Sequence, residues 1–159
     1  MKTKDIVNQA IIAAIYVILT LFMPVPQYGE LQFRLSEVMT LLAFCNRKNV
    51  VGLTLGCFIA NIWSPLGVWD MIFGTLGTFL ATYAMSKSKN IFLAAIWPAV
   101  FSFIYGLENA ILTSQIQASI IFTLQIMLVQ FVIVAIIGIP LFKLLEKNTA
   151  IKNYLDGEL

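Results

Sequence analysis

The stretch Leu31-Gln-Phe-Arg-Leu-Ser-Glu37 sets an arginine and a carboxylate one helical turn apart inside an otherwise apolar chain. Residues at that spacing share a helix face, so Arg34 and Glu37 are read as one wall of a ligand pocket. Asn61, Asp70, Glu108, Asn109 and Gln130 interrupt later apolar runs, and ionisable groups in such runs mark a functional site by default. These groups suit hydrogen-bonded capture of a polar ligand rather than catalysis. The chain has no histidine, which removes the commonest general base and metal ligand, and no nucleophile and base stand together. Cys45 and Cys57 lie in apolar runs and are read as small core residues, not as a disulfide or metal pair.

Glu30, Glu37, Asp70 and Glu108 oppose the single Arg34 in the outer part of the chain. Such a pocket prefers a neutral or cationic guest. Phe33, Trp63, Trp69 and Tyr105 lie at the same level; Phe33, Trp63 and Tyr105 are candidates to face a planar ring, and Trp69 belongs to the aromatic belt of a lipid interface.

The elements that position these groups follow from composition. Of 159 residues, 60% are hydrophobic and 11% charged, against about 25% charged in a soluble domain. This is the composition of one integral-membrane domain, residues 1–159, with no room for a soluble catalytic unit. The first apolar run is too long for a signal-peptide core and is read as retained. A net charge of +2 with basic residues scattered at helix ends excludes a nucleic-acid partner.

Six spans are expected. Helix 1 carries the apolar run 10–23 and ends at Pro24 and Pro26. The polar loop 24–32, with Tyr28 and Glu30, is expected to act as a lid. Helix 2 covers about 33–44, helix 3 about 50–63 with Gly52-x-x-x-Gly56 for close approach, and helix 4 68–85. Helix 5 covers 91–112 with a kink at Pro98, a loop spans 113–119, and helix 6 covers 120–145. Lys2, Lys4, Arg47, Lys48, Lys87, Lys89, Lys143, Lys147 and Lys152 fall at inner ends, so both termini are expected in the cytoplasm. A four-span alternative, with helices 2 and 3 as a re-entrant hairpin, sinks Arg47 and Lys48 into the bilayer at about 2.5 kcal/mol or more each. No polar stripe reaches the inner leaflet, which argues against a pore. Ala10, Ala13 and Ala14 form a flat strip suited to close helix packing, within the domain or against a separate subunit.

Leu31-Gln-Phe-Arg-Leu-Ser-Glu37, Gly56-Cys-Phe-Ile-Ala-Asn61, Ser64-Pro-Leu-Gly67, Asp70, Phe73-Gly-Thr75 and Gly138-Ile-Pro-Leu141 together resemble the queuosine-precursor transporter (QueT) family. Its members are substrate-binding S components of energy-coupling factor (ECF) transporters. The resemblance spans nearly the whole chain and implies an all-α, six-transmembrane-helix bundle of ECF S-component type in the bacterial cytoplasmic membrane. It implies uptake of a 7-deazaguanine (preQ1, preQ0 or queuine) with a transmembrane coupling subunit and two ATPase subunits, and no cofactor. Ala10-x-x-x-Ala14 looks like the family's contact with the coupling subunit. Glu37 or Glu108 is then the candidate for the guanine N–H edge, Asn61 or Asn109 for the ring carbonyl, Phe33 or Trp63 for stacking and Asp70 for an aminomethyl cation, with Arg34 orienting Glu37. Gln130 stands, eight residues before Gly138, where the family pattern has glutamate. The competing readings are an S component for another vitamin or nucleobase and a membrane-embedded enzyme or assembly subunit.

Overall fold

The structure, a computed structural model, describes residues 2–22 and 33–147. The expected lid, 24–32 with Tyr28 and Glu30, and the inner-end residue Lys152 lie outside these. Helix is the only regular secondary structure among the described residues: α1 (Thr3–Phe22), a 3-10 helix (Leu35–Leu41) running into the short α2 (Leu42–Cys45), α3 (Asn49–Asn61), α4 (Val68–Met85), α5 (Ile91–Val100), α6 (Phe103–Thr113), α7 (Ile116–Phe131), a π-helical stretch (Val132–Gly138) and α8 (Ile139–Leu145). Three helical segments, Thr3–Phe22, Ile91–Thr113 and Ile116–Leu145, are long and apolar enough to cross a membrane.

In α1, Gln9, Ile12, Ala13, Tyr16 and Thr20 are buried at helical spacing, while Ile6, Val7, Ile11, Ile15 and Ile18 face outward. An apolar outer face over a mixed inner face is the pattern of a helix whose solvent is lipid. α1 lies against α3, and two glycines make the approach possible. A Cβ on Gly52 would stand 2.7 Å from the Gln9 carbonyl, and one on Gly56 would stand 2.9 Å from Tyr16 Cβ and 3.0 Å from the Ala13 carbonyl. The expected close approach at Gly52 and Gly56 is therefore made by α1. The crossing is pinned by a satisfied polar network, in which Gly52 N–H donates to Gln9 Oε1 (3.0 Å), Gln9 Nε2 to Asn49 Oδ1 (3.1 Å) and Asn49 Nδ2 to the Leu42 carbonyl (2.9 Å).

Several boundaries correct the sequence reading. Helix 2 is mainly 3-10 rather than α. At about 2.0 Å per residue instead of 1.5 Å, this winding stretches a segment that is short for a bilayer. Its three-residue turn also eclipses i and i+3, so Arg34, at the N-cap, Glu37 and Thr40 stack along one edge, all buried. The interruption of helix 5 falls at Phe101–Ser102, just beyond Pro98, where the Ser102 hydroxyl takes the Pro98 carbonyl (3.0 Å). The expected loop at 113–119 shrinks to Ser114 and Gln115, because Ser114 adopts the left-handed conformation (φ 56°) and turns the chain at once. Gly67 does the same before α4 with φ 58°, a region open mainly to glycine.

Candidate functional site

The site grows from the edge that the 3-10 helix presents. Arg34 is buried, and its guanidinium donates to Asn61 Oδ1 on α3 (3.1 Å) and pairs with Asp70 Oδ2 on α4 (3.5 Å). Asn61 then donates from Nδ2 to the Asp70 carbonyl (3.0 Å) and to Cys57 Sγ (3.4 Å). Gly74 leaves the space for that carboxamide, since a Cβ there would stand 2.6 Å from Asn61 Nδ2. Asp70 occupies the first turn of α4, where the helix dipole favours negative charge, and it also accepts from Ser64 Oγ in the preceding turn. Arg34, Asn61 and Asp70 are thus one hydrogen-bonded unit joining three elements.

Glu37 has a different partner. The Tyr16 hydroxyl on α1 donates to its Oε1 at 2.6 Å, and Thr40 Oγ1 donates to its carbonyl at 2.6 Å. Thr20 Oγ1 reaches Ser36 Oγ at 2.7 Å, so α1 grips the 3-10 helix at two points. Glu37 lines a cavity of about 10 Å³ together with Gly77, Thr78, Tyr105 and Gln130. That is room for about one water molecule. Glu108, on α6, is 2% exposed and within Coulombic range of Asp70 and Arg34.

Beside the Thr54 and Thr75 hydroxyls, three side-chain oxygens are left over. Asp70 Oδ1, Glu108 Oε1 and Gln130 Oε1 are buried acceptor oxygens without a hydrogen-bond partner among the described residues. They come from α4, α6 and α7. Buried polar groups are nearly always paired, so orphaned acceptors on Asp70 and Glu108, which lie within Coulombic range of each other, and on Gln130 at the cavity wall are places where a ligand's donors would be accepted.

The sequence matches the QueT transporter family over residues 6–147. The chain belongs to that family. It is 46% identical over 81 residues to the Queuosine precursor transporter QueT of Lactococcus lactis subsp. cremoris (strain MG1363), a match covering 50% of this chain and 47% of that relative. The chain is thus aligned to about half the length of that curated relative. No solved structure matches it. The family is one of transporters, not enzymes, and membership makes the chain a multi-pass protein of the cell membrane.

Within this member of the QueT family, the residues singled out from sequence divide into groups. Arg34, Asn61 and Asp70 are in direct contact, Glu108 is within electrostatic reach, and Glu37, Tyr105 and Gln130 share the cavity wall. Phe33 is half-buried against the apolar core. Asn109 is half-buried and its Oδ1 is taken by Ser119 Oγ at 2.9 Å, which fastens the α6–α7 hairpin. Trp63 is 59% exposed, so it joins Trp69 at the periphery instead of stacking inside; the short α3 ends at Asn61 and the following turn swings the indole outward. Arg34 grips Asn61 and Asp70, and the hydroxyl that orients Glu37 is that of Tyr16. Ala10 and Ala14 are exposed, but Ala13 is buried against Gly56 and leaves the expected docking strip.

Tyr16, Ser64 and Thr78 were not anticipated. Gln9, Tyr16 and Thr20 lie at helical spacing within an apolar run, a polar line that pointed to the inner face of α1. Thr78 Oγ1 contacts Cys57 Sγ (3.2 Å), and the thiol's own contact to the Gly74 carbonyl (3.7 Å) places Cys57 as a buried packing residue behind Asn61.

Proposed function

We propose that the chain is the substrate-binding S component of an ECF-type importer, crossing the membrane six times with both termini in the cytoplasm. It captures a 7-deazaguanine queuosine precursor near the outer face. The observation that carries this reading is the set of buried carboxylate and carboxamide oxygens left without partners on α4, α6 and α7. A guanine-like edge presents adjacent N–H donors that one carboxylate accepts bidentately. Glu37 is the acceptor for that edge: it lines the cavity, and a carboxylate bound once by Tyr16 retains lone pairs for two more bonds.

A purine-sized ligand exceeds a cavity of about 10 Å³, since small-molecule sites occupy several hundred Å³. Binding therefore separates the wall carrying Tyr105 and Gln130 from the one carrying Glu37. Transport uses a coupling subunit docked on the exposed Ala10 and Ala14 face of α1, and ATP is hydrolysed by two partner ATPases. The purified chain, titrated calorimetrically with deazaguanines, guanine, riboflavin, thiamine and biotin, tests the reading. Deazaguanines alone are expected to bind without ATP, and uptake by cells is expected only when the coupling module is present. Binding of a vitamin instead, or of nothing, overturns it.

A further inference from the structure

Contacts of Asn61 with Asp70, of Cys57 with Thr78 and of Arg47 with Tyr83 set α3 and α4 side by side in opposite directions. On their outward side lies a groove of about 360 Å³. Val51, Leu55, Phe58 and Phe79 line it and remain exposed, and Thr54 and Thr75 complete its wall.

The groove ends at two cations. Tyr83, one helical turn beyond Phe79, stacks on that ring with centroids 6.0 Å apart. The Arg47 guanidinium lies 5.2 Å and Lys87 Nζ 4.4 Å from the Tyr83 centroid, and Arg47 also donates to the Tyr83 hydroxyl at 3.4 Å. Sharing one ring keeps the two charges within the roughly 10 Å over which salt screens them, so they repel. The ring attracts each cation but neutralises neither. Neighbouring Lys48 has its carboxylate, Asp5 at 2.9 Å; among the described residues, Arg47 and Lys87 pair with none.

Two exposed cations at the foot of an exposed apolar groove match an amphiphile, anionic at one end and hydrocarbon beyond it. We propose that this face seats an anionic glycerophospholipid, its phosphate between Arg47 and Lys87 and an acyl chain along the α3–α4 groove. With the basic helix ends inside, the lipid belongs to the inner leaflet. A free anion would leave the groove bare, and a zwitterionic lipid brings its own cation to the phosphate. The site lies apart from the polar residues of the ligand pocket and does not depend on what that pocket binds.

Native mass spectrometry of the purified full chain, titrated in detergent with phosphatidylglycerol and with phosphatidylcholine, tests the proposal. One phosphatidylglycerol is expected to bind about tenfold or more tightly than phosphatidylcholine, since each basic residue near an anionic headgroup contributes about fivefold. Arg47→Gln and Lys87→Gln, both at exposed positions, are each expected to weaken it about fivefold. Lys89→Gln, an equal loss of charge two residues away, is expected to change it less than about twofold. Leu55→Trp, which fills the groove, is expected to weaken it as well. Equal affinity for the two lipids, or equal losses in Lys89→Gln and Lys87→Gln, overturns the headgroup site. Unchanged affinity in Leu55→Trp overturns the acyl-chain seat, and displacement of the lipid by millimolar inorganic phosphate makes the site one for a free anion. A lipid-free dimer that Leu55→Trp abolishes assigns the face to a second copy of the chain instead.

Discussion

Replacing Tyr16 by phenylalanine removes one oxygen and creates no cavity, because the ring stays in its fully buried place. What is lost is the 2.6 Å donation to Glu37 Oε1, a short hydrogen bond to a buried carboxylate. Hydrogen bonds to charged groups contribute about 1.5–3 kcal/mol, and the oxygen left behind carries its desolvation cost. A destabilisation of roughly 2 kcal/mol lowers Tm by roughly 4–8 °C in a chain of this size. Thermal unfolding in detergent, followed by intrinsic fluorescence, measures this directly. In a Glu37→Gln background the same replacement is expected to cost about half as much, because the bond is no longer charge-assisted. A Tm within about 1 °C of wild type would show that Tyr16 does not hold Glu37, since even 1 kcal/mol shifts such a chain by about 2–4 °C.

Other consequences follow from the same contacts. Gly74→Ala places a Cβ 2.6 Å from Asn61 Nδ2. It is expected to displace that carboxamide from Arg34 and to weaken ligand binding by about 1–3 kcal/mol, the range for crowding in a well-packed interior, as read by titration. Ala10→Leu and Ala14→Leu are expected to preserve ligand binding and abolish uptake, whereas Ala13→Leu, buried against Gly56, is expected to lower thermal stability instead. Trp63→Ala is expected to leave ligand affinity unchanged, because the indole faces outward; a tenfold loss in a competition assay would return it to the site.

Much of the architecture was legible because a bilayer imposes its own length scale on sequence. Apolar runs bounded by Lys2, Arg47, Lys48, Lys87 and Lys143 gave the order of the helices, and polar residues interrupting those runs gave Arg34, Asn61 and Asp70, which the fold brings into contact. The 3-10 winding of Leu35–Leu41 and the π-helical stretch Val132–Gly138 were not legible. Both are tertiary outcomes, since the 3-10 helix carries buried groups that must meet partners on α1, α3 and α4, and the two irregular segments touch where Gly138 lies 3.1 Å, by its would-be Cβ, from Leu41. Helix spacing alone also could not separate Ala13 from Ala10 and Ala14, because adjacent residues on a helix differ by about 100° and only the position of α3 decides which one is covered. Tyr16 was overlooked for a related reason: a tyrosine in an apolar run reads as packing until its hydroxyl finds a carboxylate on another segment.

The central claim is that buried carboxylates in this bundle bind a deazaguanine without help from ATP or a partner. Calorimetry on the purified wild-type chain and on Glu37→Gln, with 7-aminomethyl-7-deazaguanine as titrant, tests it most directly. Saturable one-to-one binding by wild type, weakened in Glu37→Gln by about 2 kcal/mol or more, is the expected result. Absence of binding by the folded wild-type protein, or equal affinity in both, would contradict the account.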